Sequence, residues 1–133
     1  MGTEVLEIKA KVIVGDEEID DIMESALLGV RYWCDIVNIY EDKLAAKHMC
    51  QQISKGGLLA FHTEEPFEDS GKEWYMLDKE KFMKGLKMYL DDPLWDCLTQ
   101  DGGNRFLVDP GCIDGECADA IVQYALFGEI VYG

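Results

Sequence analysis

The sequence predicts an α+β fold: a small mixed or antiparallel sheet with about four helices, in a single domain spanning residues 1–133. Three observations predict it. Apolar residues recur at helical spacing in four stretches, two strand-like runs flank a turn-forming segment, and helices and strands follow one another in irregular order rather than strict alternation. A chain of 133 residues is long enough to bury a core, and its 48% hydrophobic content argues against disorder despite a formal charge of -15.

The elements follow in order. In "EVLEIKAKVIV" the residues Val5, Ile8, Val12 and Val14 stand among charges in partial alternation, which predicts an opening strand broken at Gly15. In "DEEIDDIMESALLG" Ile19, Ile22, Met23, Ala26 and Leu27 fall on one helical stripe, with Asp16 placed to cap the start and Gly29 to end it. "RYWCDIVNIYE" is rich in aromatic and β-branched residues and predicts a strand, with Tyr32, Cys34, Ile36 and Asn38 on one face. Trp33, Asp35, Val37 and Ile39 take the other. "DKLAAKHMCQQISKGG" offers helix formers, a stripe of Ala46, Met49, Cys50 and Ile53, and a double-glycine stop, which together predict a second helix.

"GLLAFHTEE" and "KEWYMLD" predict a hairpin, because Pro66, Asp69, Ser70 and Gly71 between them supply turn chemistry. Asp78 caps a third helix with Phe82, Met83, Leu86, Tyr89 and Leu90 as its buried stripe. Phe106 to Val108 is a short strand candidate within a loop-rich region. Asp114 caps a last helix in which Ala118, Ile121, Val122, Ala125 and Leu126 form the stripe, widened by Tyr124 and Phe127, and Gly128 ends it. A helix so apolar around its circumference belongs in the core, and "EIVY" beyond it predicts a closing strand.

Chemistry is less plainly written. The strongest metal pattern is "CIDGEC", in which Cys112 and Cys117 sit at the mouth of the last helix, where the dipole favours thiolate, and Cys34, Cys50 or His48 is available to complete a zinc site. A structural zinc site shows two close pairs and this chain shows one, so reduced cysteines are the simpler account and zinc the alternative cofactor. Cys34 or Cys50 with His48 or His62 carries the atoms of cysteine catalysis, but spacing does not bring them together, and the chain has no Gly-rich phosphate loop or hydrolase triad pattern. The reading is of a protein that is not an enzyme. Tyr32, Trp33, Trp74, Tyr75 and Trp95 are read mostly as core, and Lys79, Lys81, Lys84 and Lys87 as the solvated face of the third helix.

Charge distribution says more. Asp16, Glu17, Glu18, Asp20, Asp21 and Glu24 crowd the start of the first helix, and from Asp91 to Asp119 eight acids, among them Asp92, Asp96 and Asp101, meet only Arg105. Two negative patches of this kind repel nucleic acid and anionic lipid, so a charged partner should be basic. No apolar run reaches membrane-spanning length, no signal-peptide pattern opens the sequence, Leu6 stands where myristoylation wants Ser or Thr, and five cysteines fit a reducing compartment. These features predict a cytoplasmic protein.

At "SALLGVRYWCD", "EKFMKGLKMYL" and "IDGECADAIVQYALFGEIVYG" the chain resembles a family of small proteins carried by phages and prophages of Gram-positive (Firmicute) bacteria, most strongly over Ala120 to Gly133. Members tend to carry two glycines ahead of the Tyr-Trp pair, where this chain has Leu28, Gly29 and Val30. The resemblance transfers no active site. It implies a phage protein acting in a bacterial host, and small acidic phage proteins include inhibitors of restriction and CRISPR enzymes. The expectation is thus an anti-CRISPR-like inhibitor that binds a basic host nuclease, such as a Cas nuclease, and blocks DNA loading, with a zinc-stabilised structural or regulatory phage protein as the alternative.

Overall fold

The computed structural model describes residues 2–6, 11–40, 44–63, 72–91, 98–100, 102–103 and 105–133. Among them lie three α-helices, α1 (Asp16–Gly29), α2 (Lys79–Asp91) and α3 (Gly115–Phe127), and six strands: β1 (Lys11–Ile13), β2 (Ile36–Ile39), β3 (Leu59–His62), β4 (Trp74–Leu77), β5 (Leu98–Gln100) and β6 (Arg105–Val108). The strands form two three-stranded sheets, ordered β1-β6-β5 and β2-β3-β4. The fold class is α+β. Two sheets replace the one expected, and three helices replace four.

The second sheet is antiparallel throughout, with Phe61 paired to Val37 on one side and Tyr75 on the other. This is the hairpin expected from the sequence; its turn residues lie outside those described. The first sheet joins β1 to β6 in parallel, Val12 beside Phe106, and β6 to β5 antiparallel. The pairing of residue 12 with residue 106 is beyond the reach of local pattern.

α3 is the centre of the helical layer. It packs on both α1 and α2 and touches β4, and Ala118, Ile121 and Val122 on it are fully buried. Both crossings depend on glycine. A Cβ on Gly85 of α2 would stand 2.5 Å from the Ile121 carbonyl oxygen and 2.7 Å from Ala125 Cβ, and one on Gly29 of α1 would collide with the Gly115 carbonyl. Side-chain-free positions let the backbones approach this closely. Opposite the helices, Leu59, Phe61 and Leu77 from the second sheet complete the core with Ile19, Ile22, Met23, Phe82 and Leu86.

The capping expectations divide. Asp78 accepts from Lys81 N at 2.8 Å, Asp114 accepts from Cys117 N at 2.9 Å, and Gly128 ends α3 at φ +75°, where glycine carries no Cβ penalty. Asp16 does not cap α1. Gly15 holds the cap position, and Asp16 is the first helical residue. Met83 is exposed rather than part of the α2 stripe.

Four further expectations are corrected. Of the opening strand only Lys11–Ile13 is regular among the described residues. The strand expected from Arg31 begins at Ile36, because a 3-10 turn over Val30–Tyr32 carries the chain out of α1 and buries both Trp33 and Cys34 rather than alternating them. The second helix does not form: residues 44–57 hold one 3-10 turn, Met49–Gln51, preceded by extended His48. Gln52 is the reason, since its buried side chain takes Ala45 N on its oxygen and donates to the carbonyls of Ala46 and His48, giving that backbone partners a helix would have supplied. The closing strand is likewise absent, and residues 129–133 run without regular structure.

Candidate functional site

α1 separates its two faces sharply. At about 100° per residue, Ile19, Ile22, Met23 and Ala26 point to the core, and Glu17, Asp21, Glu24 and Leu28 form a line directly opposite. All four of the latter are exposed, Leu28 to 61%. Glu18 and Asp20 lie half-buried on the flanks of this line. Asp16 is drawn away from it: Lys55 Nζ and Lys79 Nζ sit 3.1 and 3.5 Å from its two oxygens, and the Lys55 bond, first among the causes, holds its carboxyl below the usual range. The free acidic surface is therefore Glu17, Asp21 and Glu24 with Glu18 beside them, whereas Asp20 turns Oδ1 inward, buried and without a hydrogen-bond partner among the described residues.

The second acidic region disperses. Asp91 is exposed at the end of α2, but Asp92, Asp96 and Asp101 lie outside the described residues. Asp109 accepts from Gly111 N and Asp114 caps α3, so these carboxylates serve local backbone. Asp119 is 4% exposed and belongs to the interior.

The cysteines are likewise scattered in character. Burial pushes the Cys34 thiol up to about 11 while its Sγ donates to the Ile36 carbonyl, and burial followed by the charges of Glu24 and Asp20 pushes Cys50 upward as well. Neither is an activated thiolate. Cys112 is exposed with its Sγ 3.4 Å from Asp109 Oδ2, and Cys117 is half-buried. Among the described residues no three or more of His, Cys, Asp and Glu are grouped so as to hold a metal ion. Nothing there completes a zinc set around Cys112 and Cys117.

His62 is committed elsewhere than to a cysteine. Its Nδ1 lies 2.7 Å from Asp35 Oδ1 and its Nε2 3.5 Å from Glu73 Oε2, with the Trp74 ring 4.7 Å away. The Asp35 bond is the main cause that raises the imidazole above its ordinary value. Asp35 and Glu73 precede β2 and β4, so one ring ties both outer strands to β3 at the same end of the sheet.

Behind that end lies a polar centre that the sequence pattern concealed. Asp119 accepts from Trp33 Nε1 at 2.6 Å, from the Tyr32 hydroxyl at 2.7 Å and from Gln123 Nε2 at 2.9 Å. Three donors compensate a buried carboxylate. Gln123, fully buried one turn further along α3, also takes Val131 N and Tyr132 N on its oxygen and donates to the Tyr132 carbonyl. Tyr132 in turn stacks on Trp33 at 5.1 Å between ring centroids and 3° between planes, and meets Phe127 edge-on. Desolvation, then the Asp119 bond, pushes the Tyr32 hydroxyl up to about 12, so it remains a donor. The only sequence signal for this centre is a polar pair, Asp119 and Gln123, four apart in an apolar helix.

The 31–35 stretch and residues 131–133 bound a surface cleft of about 560 Å³. No helix among the described residues is long and apolar enough to cross a membrane. No protein-family model, curated protein or solved structure matches the chain.

Proposed function

We propose that this chain is a non-catalytic, acidic binding protein whose α1 face engages a basic, nucleic-acid-binding partner. The observation that carries the reading is the exposed line Glu17, Asp21 and Glu24, flanked by Glu18 and opposite the buried stripe of α1. Four carboxylates, Glu17, Glu18, Asp21 and Glu24, over about 10 Å of helix axis compare with about three phosphates over the same length of one DNA strand. A groove built to take nucleic acid is drawn to such a surface. The resemblance to phage proteins supplies the narrower reading: the partner is a host nucleic-acid-directed defence nuclease, anti-CRISPR fashion, and binding blocks DNA loading.

The test is retention of partners from a host lysate at low and at high salt, for the natural chain and for a Glu17→Lys, Asp21→Lys, Glu24→Lys variant. All three side chains are exposed, so the variant should melt within a few degrees of the natural protein. A guided nuclease retained at low salt, released at high salt and lost on charge reversal supports the reading. Binding or inhibition that survives reversal refutes electrostatic mimicry by α1.

A further inference from the structure

The cleft between the 31–35 stretch and residues 131–133 falls within the roughly 300–1,000 Å³ range of small-molecule sites. Its aromatic walls are already fixed. Tyr32 is held through its hydroxyl by Asp119, Trp33 through its indole by Asp119, and Tyr132 by stacking on Trp33. Tyr32 nevertheless stays 58% exposed, so an aromatic side chain is presented without having to be ordered on binding.

Two opposite charges line the same cleft. Arg31 is exposed, and its guanidinium has no ion pair or hydrogen bond among the described residues, in a chain where acids outnumber bases 27 to 12. Asp35 is oriented by His62 and also accepts from the backbone of residues 35 and 36, and a carboxylate with about four acceptor sites retains capacity beside these bonds. A free anion suits Arg31 but is repelled by a molecule of charge -15, and a free cation gains nothing from Arg31. A neutral ligand carrying both charges satisfies the pair and escapes the overall field.

We propose that this cleft binds a small zwitterion of the α-amino-acid type with an aromatic side chain. Its carboxylate meets Arg31 as a bidentate pair, its ammonium meets Asp35, and its side chain lies against Tyr32 and Tyr132. The site is separate from the acidic line of α1 and does not depend on it.

The experiment is titration of the full chain with L-phenylalanine, followed by the NMR shift of the Trp33 indole N–H and by calorimetry. 3-Phenylpropionate and phenethylamine, which keep one charge each, are titrated in parallel, as is an Arg31→Gln variant. Phenylalanine should bind at millimolar concentration or below, each single-charge analogue at least tenfold more weakly, and Arg31→Gln should lose at least tenfold with its melting temperature unchanged. No shift with phenylalanine, equal binding of either analogue, or unchanged affinity in Arg31→Gln overturns the proposal.

Discussion

Two glutamines, Gln52 and Gln123, are both fully buried and both use a side-chain amide to satisfy backbone that has no regular partner. They differ in reach. Among the described residues the Gln52 side chain bonds to residues 45–48, within its own irregular segment, whereas the Gln123 side chain stands on α3 and binds residues 131–132 together with Tyr32 and Asp119. The first shapes a loop; the second joins a helix, the turn after α1 and the 129–133 segment. A buried amide can therefore replace secondary structure locally or couple distant parts of the chain, and residue type alone does not say which.

Breaking the far-reaching amide should have the larger effect. Gln123→Leu removes the two bonds its oxygen accepts and the two protons its nitrogen shares among Tyr32, Asp119 and Tyr132, and leaves Asp119 with one donor fewer. A loss of about 3 kcal/mol is expected, with the midpoint of thermal unfolding falling by about 10 °C. Hydrogen exchange at the Val131 and Tyr132 amides should rise to near-unprotected rates, and Trp33 near-ultraviolet dichroism should fall. Gln52→Leu should lose about 2 kcal/mol by denaturant titration, with Trp33 dichroism unaltered. The two glutamines share no bonded partner, so the double variant should lose the sum to within about 0.5 kcal/mol. A shortfall larger than that would show that the local and the long-range amide are one cooperative unit, and the contrast between them would fail.

His62 sharpens the contrast from the other side, since it couples Asp35 to Glu73 near the protein surface. Its folded pKa is raised, so its contribution is complete below the ordinary histidine value of about 6.5 and fades as pH rises through the folded value. Asp35 and Glu73 are the carboxylates that face it among the described residues, and the lowered carboxyl of Asp35 has this same bond as its main cause. Stability measured from pH 6 to 9 should decline across that window in the natural chain, and His62→Gln should remove this component of the decline. The effect should be the smallest of the three, because water screens what it does not screen at Gln123.

The parts of the fold governed by local chemistry were legible. The stripes of α1, α2 (exposed Met83 apart) and α3, the Asp78 and Asp114 caps, the Gly128 stop and the β3–β4 hairpin all follow from spacing within a dozen or so residues. What escaped is non-local. The parallel partner of β1 lies more than ninety residues away, and the expected second helix is absent from residues 44–57, where the Gln52 side chain partners the backbone instead. The acidic line on α1 was legible as charge, although its loss of Asp16 to Lys55 and Lys79 was not. The centre at Asp119 was hidden because an acid in an acidic stretch reads as surface until burial is known.

The thiols described above form a built-in timer. Cys112 is exposed and Cys34 is 4% exposed with its proton held up to about 11, so a maleimide at neutral pH should consume the first quickly and reach the second only when the core opens. Mass spectrometry of the slow addition at Cys34, told apart from additions at the other four cysteines by peptide mapping, would clock how often the Trp33 end of the molecule comes apart, without any engineered residue.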